Sequence, residues 1–125
     1  MYTVAVKRDF IASHFLVGGD WGNENEHHAH HYAVEVRLEG RQLDQHGYLA
    51  DICDIESVLD SQLNYYRDKT LNELPEFKDL NPSIEHFAGI LCQNLAAHIR
   101  TDHLDAISVK IWENAMVWAK FRKEL

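Results

Sequence analysis

The sequence is poor in cysteine: Cys53 and Cys92 are the only two. Two thiols cannot build a disulfide framework, so a small scaffold held by several bridges is excluded. It is also poor in positive charge, with 12 Lys and Arg against 20 Asp and Glu and a formal charge of −8. That surface repels a phosphate backbone, and no basic stripe is interleaved with aromatics. Nucleic acid is therefore not an expected partner. A small anion is acceptable only where a local pocket is positive. No apolar run approaches 18 residues, so no transmembrane helix and no membrane partner are expected. The opening MYTVAVKRDF lacks the layout of a signal peptide, and a reducing, cytoplasmic setting is the expectation.

What is present suits one core. Of the 125 residues 46% are apolar, enough for a modest interior and one domain spanning 1–125. Residues 2–16 read as extended, with Tyr2, Val4 and Val6 alternating and then Phe10, Ala12, His14 and Leu16 sharing a parity. Residues 17–27, VGGDWGNENEH, are a polar loop rich in Gly and Asn. His30, Tyr32, Val34, Val36 and Leu38 then fall on one face of a half-buried strand that Gly40 bounds.

Gly47–Asp51 reads as a short returning strand, and 55–68 as a helix with Ile55, Val58, Leu59, Leu63 and Tyr66 on its stripe. Glu56, Asp60 and Arg67 mark the solvated side of that helix. A second helix starts near Asn81-Pro82-Ser83, with Asn81 or Ser83 as cap, and buries Ile84, Phe87, Ala88, Leu91, Leu95 and Ile99. Ile107, Val109 and Ile111 alternate, as do Val117, Ala119 and Phe121, with Glu113-Asn114 between them as a hairpin or bulge. The order is β-β-α-α-β-β, with a short extra strand. The fold class is α+β, an antiparallel four-stranded sheet with two helices on one face. The other face needs a cover, and Tyr, Trp and Ile on several strands point to other subunits.

The stretch HHAHHYAVEV, residues 27–36, poses the functional question. Residues two apart on a strand point the same way, so His28 and His30 share the face of Val34 and Val36. His14 has the matching parity on the first strand. If the two strands pair antiparallel, three imidazoles meet and leave a fourth position open, the arrangement of a catalytic zinc. The alternatives are a surface histidine cluster and satisfied polar side chains at a strand end. His27 and His31 have the opposite parity, and face solvent or support the ligands from behind. Trp21 reads either as a lid or as a loop aromatic packed locally. His98 and His103 read as structural or surface groups near a helix end.

Five stretches in order resemble one family. Phe10-Ile11-Ala12-Ser13-His14-Phe15-Leu16 resembles its F-x-A-x-H-x-L, and His28-Ala29-His30-His31-Tyr32 its H-G-H-N-Y. Gly47–Asp51 is similar to its G-x-x-x-D strand, Asn81-Pro82-Ser83-Ile84-Glu85 to N-P-T-x-E, and Val109–Glu113 to V-x-x-W-E. The chain is identified by them as a member of the 6-pyruvoyltetrahydropterin and 6-carboxytetrahydropterin synthase (QueD-like) family. The resemblance implies a tunnelling fold and a homohexamer, a dimer of trimers, with active sites at subunit interfaces. It also implies zinc on His14, His28 and His30, and Glu113 as the carboxylate that binds the pterin substrate. The reaction it implies converts 7,8-dihydroneopterin triphosphate to a 6-carboxy- or 6-pyruvoyl-tetrahydropterin, a lyase chemistry.

The sequence departs from the family where the catalytic relay belongs. Glu24 stands where the family has its cysteine. Arg67 and Asp68 stand where it has Asp-His. Cys53 and Cys92 fall elsewhere and read as small apolar filling. A carboxylate can replace a thiolate as base, so Glu24, Glu26 and Asp68 are the catalytic candidates. Some branches of the family use a glutamate and cleave the side chain, leaving 6-hydroxymethyl-dihydropterin. A zinc-containing pterin-binding oligomer without turnover is the reading from another class.

Overall fold

The computed structural model describes residues 1–125. Four strands and two long helices follow in the order β1 (Tyr2–His14), β2 (His28–Gly40), α1 (Ile52–Tyr66), α2 (Ile84–His98), β3 (Ala106–Trp112) and β4 (Trp118–Glu124). The strands form one antiparallel sheet in sequence order, β1-β2-β3-β4. Period-two patterning dictates its faces. Val6, Phe10 and Ala12 of β1, Tyr32, Val34, Val36 and Leu38 of β2, and Ile107, Val109 and Ile111 of β3 turn inward under the helices. With Leu59 and Leu63 of α1 and Phe87, Leu91 and Leu95 of α2 they make one core. At its centre Phe87 meets Phe10, Tyr32, Tyr66 and Phe77 edge-on, with ring centroids 5.0–5.8 Å apart.

Helix α1 begins three residues earlier than the apolar stripe predicts. Asp51 caps it by accepting the N–H of Cys53 at 3.0 Å. Of the two candidate caps for α2, Ser83 holds the place and accepts the N–H of His86. Asn81 instead holds a loop near the site.

Gly47–Asp51 is not a strand. The Asp44 side chain accepts the N–H groups of His46 and Tyr48, and Gly47 takes a left-handed φ of 84°. Local turn chemistry takes the backbone groups that a ladder needs. Leu49 is nonetheless buried, with a methyl placed where a Cβ on Gly40 would sit, so Gly40 ends β2 by leaving room for it.

Glu56 and Asp60 are not simply a solvated helix side. Arg8, on the inward face of β1, forks onto them at 2.5 Å and 3.0 Å and ties the sheet edge to α1. These groups are partly exposed, so the tie is modest. Arg8→Ala is expected to lower unfolding stability by about 1 kcal/mol. A urea titration checks this, and an unchanged midpoint would show the fork contributes nothing.

The open face of the sheet is mixed. It carries Ile11, Trp112 and Trp118, but also Lys7, Asp9, Glu35, Arg37, Lys110, Lys120 and Arg122. The outer edges of β1 and β4 pair with no other strand of the chain.

Candidate metal centre

The β1–β2 register sets the centre. His14 lies opposite His28, and Ala12 opposite His30. The three inward imidazoles meet at the loop end of the sheet, with ring centroids 4.6–4.8 Å apart and planes nearly perpendicular. Each is anchored on its far side or by packing. The Nδ1–H of His14 donates to the Pro82 carbonyl at 3.0 Å, and that of His28 to the Glu26 carbonyl at 2.6 Å. Carbonyls only accept, so these bonds place the proton on Nδ1 and leave the lone pair on Nε2. The Tyr32 hydroxyl oxygen lies 3.2 Å from the same nitrogen of His14.

The Nε2 atoms of His14, His28 and His30 are all buried, and none has a hydrogen-bond partner. Burial without a partner is costly, so three such atoms facing one another call for an occupant. Burial lowers the His14 imidazole from its usual value to about 4, and the neighbouring imidazoles add to that. It is neutral at physiological pH, the form that binds a metal. A ligand atom from each of His14, His28, His30 and Glu24 lies within 4.8 Å of every other. Three imidazoles and a carboxylate are a donor set that suits zinc.

Glu24 reaches the centre through its loop. It sits in a short 3₁₀ turn, Gly22–Asn25. Its carbonyl accepts the Leu16 N–H at 2.9 Å, just beyond His14. Asn25 bonds the Leu16 and Gly19 carbonyls and the Trp21 N–H. Asn72 and Asn81 fasten Phe15 and Val17 from across the fold. The half-exposed Glu24 carboxylate thereby lies 3.0 Å from Nε2 of His28.

Glu113 comes from the other side. It follows β3, its N–H donates to the Val117 carbonyl, and Oε1 lies 3.3 Å from His30 Nε2 and 3.8 Å from His14 Nε2. The hairpin turn spans 113–117, with Asn114 accepting the N–H groups of Met116 and Val117.

The remaining candidates stand apart. Glu26 offers the centre its carbonyl, while its side chain is exposed and outside the convergent group. Asp68 is exposed, at a left-handed φ of 61°, with its N–H donating to the Ile11 carbonyl on the outer edge of β1. It does not join the histidines within one chain. His27 faces outward and contacts the Thr70 hydroxyl at 3.0 Å, and His31 pairs with Asp9 at 3.1 Å. Trp21 packs its ring over Gly19 rather than over the histidines. His98 bonds the Asn94 carbonyl and His103 the Leu49 carbonyl, which are structural tasks. The Pro82 carbonyl, Tyr32 and the asparagine ties are the parts that sequence reasoning missed. The ties of Pro82, Asn72 and Asn81 span 57–68 positions and that of Tyr32 spans 18, and none has a periodic signature.

No thiol is near. Cys53 is exposed at the start of α1, and Cys92 is buried in α2, where burial pushes its thiol up to about 11. One thiol per native chain is expected to react with a disulfide reagent at neutral pH, and two after denaturation. Two fast thiols in the native chain would contradict the burial of Cys92.

The model of the 6-pyruvoyl tetrahydropterin synthase family matches residues 3–124. A comparison with curated protein sequences finds no match. Solved structures do match. The 6-pyruvoyl tetrahydropterin synthase of Plasmodium falciparum is 14% identical with a TM-score of 0.83. That of Caenorhabditis elegans is 20% identical with a TM-score of 0.81. A catalytic-residue variant of the Plasmodium vivax enzyme is 15% identical with a TM-score of 0.81. In each case 99% of this chain and 98% of the other are covered. At such identities the likeness speaks to the fold, and it is the tunnelling fold. Taken with a family model that spans nearly every residue, it makes the chain a member of the 6-pyruvoyl tetrahydropterin synthase family.

Proposed function

We propose that the chain is a zinc-dependent lyase that converts 7,8-dihydroneopterin triphosphate to a 6-carboxy- or 6-pyruvoyl-tetrahydropterin. The observation that carries this reading is the set of three unpartnered Nε2 atoms with a carboxylate at either side. His14, His28 and His30 are the assigned metal ligands. Bound there, zinc supplies positive charge that polarises side-chain hydroxyls and favours loss of a neighbouring proton.

The chain's own residues do the rest. Glu24 is the assigned base, because it is the carboxylate held by backbone bonds beside His28. The matched Plasmodium vivax structure carries a catalytic-residue change from glutamate to alanine, so a glutamate serves catalysis in that protein. Glu113 is assigned to the aminopyrimidinone edge, where a carboxylate accepts two N–H bonds at once. Its carboxylate leans onto His30, and this assignment requires that it turn toward the ring when one enters. Tyr32 and the Pro82 carbonyl hold His14 in one orientation. Glu26 contributes by its carbonyl on His28, and its carboxylate is the reserve base. Asp68 lies on the outer edge of β1, where residues 68–70 bond Ile11 and Ser13. Its carboxylate is assigned a second proton-handling role where that edge meets another copy. The outer edges of β1 and β4, which no other strand of the chain pairs, support association into a homohexamer of two trimers with sites at the interfaces.

A glutamate in place of the thiol also favours a second reading, side-chain cleavage to 6-hydroxymethyl-dihydropterin. Incubating the zinc-loaded protein with 7,8-dihydroneopterin triphosphate and resolving the products by chromatography and mass separates the two. A 6-carboxy or 6-pyruvoyl product is the expected result, and a 6-hydroxymethyl product selects cleavage. Tight pterin binding without any product would leave a binding protein and overturn the enzyme reading.

A further inference from the structure

The chain is acidic, yet three lysines on the open sheet face have no acidic partner. Every carboxylate of that face is otherwise engaged. Asp9 pairs with His31 at 3.1 Å, Glu35 with Arg37 at 2.5 Å, and Glu39 and Glu124 both with Arg122 at 3.0 and 3.4 Å. Lys7, Lys110 and Lys120 are left as free cations. Two of them are held in place by aromatic rings. Lys7 and Lys110 place their ammonium groups 4.5 and 4.7 Å from the Trp112 ring, and Lys110 lies 4.0 Å from Trp118 as well. The ring of Trp112 has room toward Lys7 because the residue opposite it on β2 is the small Ala33. An ammonium over a ring keeps N–H donors free for another acceptor.

Lys7 shares a groove with the candidate metal centre, and Lys110 adjoins that groove through the Trp112 ring it shares with Lys7. Strand β3 pairs with β2 only from Ala33 onward, so residues 28–32 of β2 have no neighbour on that side. A groove of about 650 Å³ lies at this gap, lined by residues of both sheet faces. His30 and Glu113 line it at one side, and Lys7, Asp9, His31 and Trp112 at the other.

We infer that Lys7 and Lys110, clamped on Trp112, form the subsite for the polyphosphate tail of the substrate whose ring and side chain lie at His30 and Glu113. This inference rests on the proposed pterin reading. The long-range field of a chain at −8 opposes a polyanion, so its capture needs unpaired cations at short range. The asparagine-tied loop and the histidines read the ring and its side chain. The lysines read the phosphates and set the preference for a phosphorylated substrate. Both side chains stand on the open face, so their removal leaves the core untouched.

The test is binding by calorimetry of three probes to the zinc-loaded protein: 7,8-dihydroneopterin triphosphate, 7,8-dihydroneopterin and inorganic tripolyphosphate. The wild type is expected to prefer the triphosphate by at least tenfold over the unphosphorylated pterin. K7M and K110M should each lose most of that preference while binding dihydroneopterin unchanged, K7R should keep it, and K78M, remote from the groove, should behave as wild type. Equal affinity for the two pterins in the wild type, or variants that keep the preference, would overturn the subsite. If neither pterin binds but tripolyphosphate binds in a manner lost in K7M and K110M, the cation site stands and the pterin reading fails.

Discussion

Glu24→Gln is expected to lower turnover at least a thousandfold while leaving zinc content and pterin affinity within a few-fold of wild type. The amide keeps the shape and the backbone ties of the loop, which run through the Glu24 carbonyl and the Asn25 side chain. What it removes is the lone-pair base beside His28. General base catalysis contributes roughly 10²–10⁴-fold, and the upper half of that range is expected where no thiol stands near and the neighbouring imidazoles are assigned to the metal. A steady-state assay with a parallel binding measurement separates the two effects. Unchanged turnover would move the base to Glu26 or to Asp68 of another copy. A loss of zinc together with turnover would show that Glu24 acts mainly as a ligand.

Phe87→Ala is expected to cost about 3–5 kcal/mol of unfolding stability, the range for a large buried aromatic. Phe87 is fully buried and touches four aromatic rings from β1, β2, α1 and the segment before α2. No neighbour can collapse into the space without leaving another partner. The effect should reach the candidate metal centre, because Tyr32 packs on Phe87 at one side and lies against His14 at the other. Zinc affinity of the folded variant should therefore fall as well. Equilibrium denaturation followed by a zinc titration tests both parts, and a loss under 2 kcal/mol would show that the aromatic cluster is not the keystone of the core.

Much of this architecture can be read from the chain because it rests on short periods. Phe10, Ala12 and His14 keep one parity, and so do His28, His30, Tyr32 and Val34. Two antiparallel strands with that parity must bring the three imidazoles to one end of one face. The inward stripe of α2 was legible for the same reason. Gly47–Asp51 was misread because buried Leu49 stands between the exposed Tyr48 and the half-buried Ala50, as in a strand, while the Asp44 side chain had already claimed the backbone. The start of α1 was misread because Ile52 and Cys53 are exposed and Asp54 is polar, so its first turn adds nothing to the apolar stripe. Arg8 hid its role because its partners lie some fifty residues away. The approach of Glu24 and Glu113 to the histidines from opposite sides follows from a loop tied by asparagines and from a hairpin, and neither leaves a periodic trace. The free lysines could be recognised only when every carboxylate near them was seen to have another partner.

The central claim is that three histidines with orphaned Nε2 atoms hold a metal. Metal content of purified protein, dialysed against zinc and then against buffer and read by mass spectrometry, tests it most directly. One zinc per chain in the wild type and close to none in His30→Ala, with the variant still folded by circular dichroism, is the predicted result. A wild type that keeps no zinc, or a His30→Ala variant that keeps a full equivalent, would contradict it.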